Sequence, residues 1–430
     1  MARIKDQQTA TSRVGTDMLV FDRVSPDETF KITADQFLAG KVDTTDARLS
    51  DVRTPADSSV TYLKLISRLR SWLTANGYAN DTDMLSPHNW LPNNWAVLDA
   101  NNNYNQMVEI PRKNWSAASG FAAATIHPTF TVNATQKRIF IGKGQAVDDG
   151  LGHPVSWMNH IPMVGKTFDQ ELAAVAQLNN GTTITGYHEM TNAEWALVAQ
   201  ISKQQLGTTP VYGNNNWGQD IDARDVTFRL GTPVAFTDHV SDGKSYTGSG
   251  GHRTSHNYQP DGIFDLNGNV WERVGGMKIV NGEIQVLADN DAADYTKDQS
   301  SSSTIYKAIL DDGTLVAPGT IGTLKYSLNC NITKVTPAAG TPSKAFESIG
   351  CEADVSASCA GVALLKTLGL YPYTTGLNSD YFWVNTSGEF VPIRGGGWAD
   401  GTVAGLFALH LAHTRANASW VVGFRLAFKL

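Results

Sequence analysis

The chain has 430 residues, a hydrophobic content of 41%, a net charge of −7 and a pI near 5.8. This length suits two or three domains, and the apolar content is sufficient for a folded core. The net negative charge and the lack of a cluster of Lys and Arg argue against a nucleic-acid-binding surface. The sequence contains no run of about 18 apolar residues, so we expect no membrane-spanning helix. The N-terminal stretch lacks the apolar core of a signal peptide, so we expect no secretory route.

The cysteines predict neither a zinc site nor a redox site. Cys330, Cys351 and Cys359 form no C-x-x-C pair. An odd count permits at most one internal disulfide, and we interpret these residues as small apolar side chains.

The N-terminal part of the chain divides into two predicted segments. Residues 1–56 are polar and bury little apolar surface on their own. Residues 57–80 predict a helix with a coiled-coil seam, because apolar residues follow spacings of four, three and four. The seam residues are Tyr62, Ile66, Leu69 and Leu73. The seam covers under two heptads, so self-association and packing against the same chain both remain as interpretations.

Residues 81–430 predict an α+β fold of short strands, long loops and two helices. The sequences VEIPRK, FTVN and KRIFIGKG are typical of short strands. Capping boxes predict helices that begin after Thr167, with Gln170, and after Thr191, with Glu194. No helix is predicted after residue 204, and residues 278–346 are interpreted as an insertion with β character.

The stretch FDLNGNVWERVGG at 264–276 is rich in oxygen-bearing side chains. Such residues at this spacing hold Ca²⁺ in some proteins, and they equally well stabilise tight turns through their own backbone. His410 and His413 lie three residues apart without a third ligand type nearby, so no metal site is predicted there. No Ser-His-Asp or Cys-His arrangement stands out.

Three blocks of the sequence together resemble the signature blocks of the formylglycine-generating enzyme family. They are HEMTNAEWALVA, FDLNGNVWERV and IRGGGW…GFRLAF, in this order. The resemblance covers about residues 90–430 and implies a C-type-lectin fold with two helices, a small twisted sheet and long ordered loops. It also implies a structural Ca²⁺, since Asp265, Gly268, Val270 and Glu272 match positions that hold this ion in some members.

The resemblance does not extend to the chemistry of the family's oxidases. Those enzymes use cysteines between the R-G-G-S-W and G-F-R motifs, whereas this chain has no cysteine after Cys359. We therefore expect no enzymatic activity and no required cofactor.

The segment 394–425 resembles more closely the variable region of retroelement-diversified proteins of tailed phages, the group of the major tropism determinant. Its frame residues, which the resemblance implies to be constant, are Gly395, Gly396, Trp398, Gly401, Gly405, Trp420, Gly423, Phe424 and Arg425. Its gap residues, which the resemblance implies to be variable and receptor-binding, are Gly397, Ala399, Asp400, Val403, His410, Ala412, His413, Ala416 and Val421.

The composition of the gaps agrees with this diversification chemistry. Randomising the adenines of an AAC codon gives NNC codons, which never encode Lys, Glu, Gln, Met or Trp. Between Gly395 and Phe428 the chain has no Lys, Glu, Gln or Met. The alternative interpretation is that the small gap residues are ordinary loop residues. Since these side chains are mostly small, we expect weak binding by one head and stronger binding by several linked heads.

The N-terminal sequence KITADQFLAGKVDTTDARLSDVRTP resembles shaft-end segments of phage tail fibres. The resemblance implies that residues 1–56 form a fibre-attachment region, that residues 57–80 form a trimerisation segment, and that residues 81–430 form a receptor-binding domain. The expected partners are a host cell-surface receptor, protein or glycan, other tail-fibre proteins, and two further copies in a homotrimer. The expected location is the tail-fibre tip of the virion. Alternatives are a cellular surface-display protein with the same variable fold and a formylglycine-generating-type oxidase.

Overall fold

The computed structural model describes residues 18–20, 31–33, 85–87, 93–112, 126–213, 243–377 and 379–430. The chain divides into two units, Met1–Thr82 and Asp83–Leu430. In the first, β1 (Met18–Val20) pairs antiparallel with β2 (Lys31–Thr33). The predicted helix at 57–80 lies outside the described residues, as does its seam of Tyr62, Ile66, Leu69 and Leu73.

The second unit contains both helices and sheets. Its described helices are α1 (Phe168–Ala176), α2 (Asn192–Leu206) and α3 (Ala360–Thr367). Its described strands are β3 (Leu85–Pro87), β4 (Asn94–Leu98), β5 (Tyr104–Ile110), β6 (Thr131–Val132), β7 (Thr135–Gln136), β8 (Ile139–Gly142), β9 (Val147–Asp148), β10 (Pro154–Val155), β11 (Tyr187–Glu189), β12 (Trp271–Arg273), β13 (Met277–Val280), β14 (Glu283–Val286), β15 (Lys307–Ile309), β16 (Leu315–Val316), β17 (Lys325–Tyr326), β18 (Ile332–Thr333), β19 (Ser343–Ala345), β20 (Tyr381–Val384), β21 (Glu389–Gly395), β22 (Gly405–His413), β23 (Val422–Phe424) and β24 (Leu426–Lys429). The predicted mixed α+β class is confirmed.

Two large sheets organise this unit. A six-stranded sheet has the order β11-β24-β8-β5-β4-β3, and a twelve-stranded sheet runs along β16-β15-β14-β13-β21-β22-β20-β19. Strand β12 joins the larger sheet by pairing antiparallel with β21 and parallel with β23. Strands β14 to β19 lie within residues 278–346, and the hairpin β13–β14 extends the sheet from β21.

Helices α1 and α2 begin where their capping boxes predict. The Thr167 hydroxyl accepts from the Gln170 backbone N–H, and the Gln170 side chain accepts from the Thr167 N–H. Thr191 and Glu194 repeat this arrangement. Each pair satisfies two backbone donors that a helix start leaves without a partner.

Helix α3 contradicts the expectation that no helix follows residue 204. Its N-cap, Cys359, makes no side-chain capping bond, so the start carries no local signal. Val362 and Leu365 are fully buried in the main hydrophobic cluster. Packing against the core therefore stabilises this eight-residue helix, and such tertiary stabilisation is invisible to local sequence patterns.

No helix among the described residues is both long enough and apolar enough to cross a membrane. The three cysteines are all free thiols.

Candidate functional site

A buried arginine holds the start of the segment 394–425. Arg394 is 1% exposed, and its Nη2 donates to Asn192 Oδ1 at 2.6 Å and to the Gly369 carbonyl at 2.9 Å. Asn192 is the first residue of α2. One turn later, Trp195 Nε1 donates to the Leu406 carbonyl at 2.8 Å. Helix α2 therefore anchors both the start of the segment and strand β22.

A second buried arginine holds the end of the segment. Arg425 lies between β23 and β24, which belong to different sheets. Its Nη2 and Nε donate to Glu272 Oε1 and Oε2 at 2.6 Å and 2.8 Å. Further bonds reach the carbonyls of Gly142 and Phe264. This bidentate ion pair locks the junction of the two sheets.

Two of the frame glycines are required by close approach. A Cβ on Gly396, whose φ is +85°, would lie 2.1 Å from the Ala404 Cβ. A Cβ on Gly405, whose φ is +150°, would lie 2.1 Å from Asp380 Oδ1. Each position combines a backbone conformation that favours glycine with a lack of space, so neither tolerates a side chain.

A β-bulge in β22 brings His410 and His413 to the same face of the sheet. Val391 pairs with His413 and Ile393 with His410, so β22 advances three residues where β21 advances two. An extra residue on one strand restores the same facing for side chains three apart. Within the bulge, the Ala412 N–H donates to His410 Nδ1 at 3.2 Å.

Four rings then form a line that we call the aromatic row: Tyr381, Trp383, His410 and His413. Successive ring centroids lie 4.8 Å, 5.1 Å and 4.6 Å apart. The row arises because β20 runs parallel to β22, with Trp383 opposite His410. All four side chains are half-buried, so the row borders the solvent.

Trp271 lies beneath the row and connects it to the rest of the segment. Its ring meets Trp383 and His410 edge-on, each at 5.8 Å. A Cβ on Gly397 would lie 3.3 Å from Trp271 Cδ1. Asp400 Oδ2 accepts from the Gly397 N–H at 2.7 Å. Trp271, itself 6% exposed, is therefore a floor shared by Gly397, which follows β21, and His410 of β22.

The gap residues face outward with one exception. Ala399 and Ala416 are exposed, whereas half-buried positions are Asp400, Val403, His410, Ala412, His413 and Val421. Gly397 is buried against Trp271, which corrects the expectation that it faces a receptor. Among the frame residues, Trp398 is 5% exposed but Trp420 is 40% exposed, with ring centroids 5.1 Å apart. Trp420 therefore belongs to the surface as well as to the frame.

The surroundings of the two histidines of the row disfavour their protonated forms. Burial, reinforced by His413, lowers the pKa of His410 to about 3. Burial and the charge of Arg273 also lower the pKa of His413. Protonation near pH 6, the usual range of a free imidazole, is therefore disfavoured at both rings.

The residues implied for Ca²⁺ do not fit that ion. Both carboxylate oxygens of Glu272 accept from Arg425, and Oε1 also accepts from Gln145 Nε2. The Val270 carbonyl accepts from the same amide at 3.0 Å, and Asp265 Oδ2 accepts from the Gly248 N–H at 2.7 Å. Arg425 thus occupies the place of a cation. Gly268, the fourth residue of the set, takes φ of +76°, which is a turn role. Across the described ranges, no three His, Cys, Asp or Glu side chains converge as metal ligands.

A buried arginine, Arg273, supports the turn that carries Ala416, and two buried glutamates lie near it. Arg273 Nη1 donates to Glu171 Oε2 at 2.7 Å, and its Nη2 donates to the Asn417 carbonyl at 2.8 Å. Glu189 on β11 is 2% exposed, and neither of its carboxyl oxygens has a hydrogen-bond partner. Burial, and then the charge of Glu171, raise the pKa of Glu189 well above its ordinary 4.5.

We expect Glu189→Gln to stabilise the protein more at about pH 8 than at about pH 5. The folded protein keeps the Glu189 proton that the unfolded chain loses above pH 4.5. Wild-type stability therefore falls relative to the variant as pH rises, by up to about 1.4 kcal/mol per pH unit. Urea unfolding of both proteins at the two pH values measures this difference. An equal difference at both values would contradict a protonated Glu189.

Three residues of this site were missed by sequence reasoning as members of the surface. Tyr381 and Trp383 lie outside the segment 394–425, and Trp271 lies in the stretch 264–276 that was interpreted as a tight turn or an ion site. The alternation in YFWV, which places Tyr381 and Trp383 on one face of a strand, was the available signal.

Comparisons with known proteins leave the site without an assigned role. No family model matches the chain, and no curated protein matches it. A solved structure, PvdO from Pseudomonas aeruginosa, is similar with 13% sequence identity and a TM-score of 0.32, over 82% of this chain and 100% of that one. This level of likeness carries no argument about fold family or activity.

Proposed function

We propose that the protein is a receptor-binding protein at the tip of a phage tail fibre, with a C-type-lectin-type head that recognises the host cell surface. The observation that carries the proposal is the separation of roles in the segment 394–425. Its buried arginines, Trp398 and required glycines hold the backbone, whereas all but one of its gap residues reach solvent. A surface that changes partner requires side chains that do not maintain the fold.

The wider proposal follows the N-terminal resemblance. Residues 1–56 attach the protein to other tail-fibre proteins, residues 57–80 assemble three copies, and the heads are displayed at the tip of the virion. Three linked heads convert weak contacts into strong attachment, since linkage raises avidity by roughly 10²–10⁴ without new contacts. In this proposal the protein catalyses no reaction and inserts into no membrane.

The experiment compares the full chain with a triple variant, Asp400→Ala, His410→Ala and His413→Ala, on a panel of bacterial strains. We expect strain-specific retention of the wild type and at least about tenfold weaker retention of the variant, because Asp400 and His410 contact Trp271 and His413 contacts His410. Lys334→Met serves as a control, since Lys334 and Asp311 form a pair that is 32% and 45% exposed and lies outside the segment 394–425. Equal retention of the triple variant and the wild type would contradict binding through this surface.

A further inference from the structure

We propose that the aromatic row is a constant part of the binding surface and that it stacks against a pyranose ring of a neutral saccharide. This inference rests on the proposed function and specifies the ligand class for the same surface. It assigns Tyr381 and Trp383 as anchor residues, although neither belongs to the variable segment.

Tyr381 and Trp383 lie next to the two histidines of the segment 394–425. Strand β20 supplies Tyr381 and Trp383, and β22 supplies His410 and His413, in one continuous row. The Trp383 and His410 rings are nearly parallel, at 19°. Diversification of the segment would change the histidines but leave the tyrosine and tryptophan in place. Every variant head would therefore keep two large aromatic side chains of the kind that dominate binding energy.

The charged groups near the row each have a partner within the chain. Arg415 pairs with Asp169 at 2.8 Å and with Glu389 at 3.1 Å. Arg273 pairs with Glu171 at 2.7 Å. The Asp400 carboxylate accepts from the Gly397 N–H, and burial raises its pKa. Each of these charged groups already has a partner within the chain, so the surface favours an uncharged ligand over an anionic or cationic one.

The rings of the row suit a ligand that has an apolar face and a polar rim. Half-buried aromatic side chains offer an apolar area beside a polar edge. A pyranose has the complementary form, with an apolar C–H face and hydroxyl groups around its rim. In its neutral form His410 accepts from the Ala412 N–H through Nδ1, so its Nε2 carries the N–H that can donate to a hydroxyl group. Ala412, the residue of the bulge, adds only a methyl group beside the rings.

The experiment applies the full-length protein to an array of immobilised oligosaccharides. Neutral probes contain glucose, galactose, mannose or N-acetylglucosamine, and charged probes contain sialic acid or phosphate. We compare wild type with Tyr381→Ala and Trp383→Leu, and with Tyr295→Ala as a matched control, because Tyr295 is also half-buried but lies near Gly181 instead. Circular dichroism and a thermal melt establish that each variant is folded.

We expect binding to at least one neutral oligosaccharide, a reduction of at least about tenfold in Tyr381→Ala and Trp383→Leu, and no reduction in Tyr295→Ala. If Trp383→Leu does not fold, Tyr381→Ala alone decides. Binding to no neutral probe, binding only to charged probes, or unchanged binding by the folded row variants would overturn the inference.

The same proteins on bacterial cells separate this inference from the proposed function. If the triple gap variant loses cell binding while no neutral saccharide binds, the saccharide assignment fails and the receptor-binding function stands. Protease treatment of the cells then separates a protein receptor, whose removal abolishes binding, from a charged glycan. If no variant of the surface alters cell binding, the proposed function itself fails.

Discussion

Replacing Arg425 by methionine is expected to destabilise the protein by about 3–5 kcal/mol, because the change leaves a buried carboxylate without its partner. Arg425 and Glu272 are 0% and 1% exposed, and two charge-assisted hydrogen bonds join them. Burial raises the pKa of Glu272, and Arg425 acts in the opposite direction. Equilibrium unfolding in urea gives the free-energy change.

Two further variants distinguish an uncompensated charge from a simple loss of packing. The double variant Arg425→Met with Glu272→Gln should be more stable than Arg425→Met alone, since the buried charge is removed with its partner. Lys334→Met, at a pair whose side chains are 32% and 45% exposed, should cost less than about 1 kcal/mol. A double variant no more stable than the single one would show that the ion pair does not hold this junction.

Trp398→Ala is expected to cost about 3–5 kcal/mol, the usual effect of truncating a buried tryptophan. The Trp398 side chain is 5% exposed and packs against Trp420, and its backbone N–H donates to the Asn269 carbonyl. By contrast, Ala399→Tyr and Ala416→Tyr should each change stability by no more than about 0.5 kcal/mol, because both alanines are exposed.

The comparison between these variants tests the separation of frame and gap residues. Thermal and urea unfolding of the three proteins are measured under one condition. If either tyrosine substitution proved as damaging as Trp398→Ala, the gap residues would be structural and the segment would not be a tolerant binding surface.

Local signals in the sequence predicted the parts of the fold that are stabilised locally. The capping pairs Thr167–Gln170 and Thr191–Glu194 gave the first residues of α1 and α2, because both partners of each pair lie within one helical turn. Helix α3 was missed, because its stability comes from Val362 and Leu365 in the core and not from a cap.

The candidate site was only partly predictable for the same reason. A pattern of glycines and tryptophans, together with a resemblance, indicated the segment 394–425 and most of its outward positions. The aromatic row was not predictable, because it requires the parallel pairing of β20 with β22 and a bulge that turns His413 toward His410. Such pairings depend on register between separate strands.

The spacing of oxygen-bearing residues along the chain was not sufficient to predict the partner of Glu272. Oxygen-rich residues at 264–276 looked suitable for an ion within their own loop. The partner of Glu272 is Arg425, which lies 153 residues away along the chain. Only the three-dimensional arrangement identifies an arginine, in place of a cation, at that carboxylate.

The most direct test of the separation between frame and gap residues is a library of the full-length protein in which the gap positions are randomised with NNC codons. The library is selected for protease resistance and, separately, for binding to two unrelated bacterial strains. We expect most protease-resistant members to carry varied residues at 399, 403, 410, 412, 413, 416 and 421, and we expect the two strains to enrich different residues there. Enrichment of the same residues by fold selection and by both strains would contradict this separation, because the gap positions would then serve the fold and not the choice of partner.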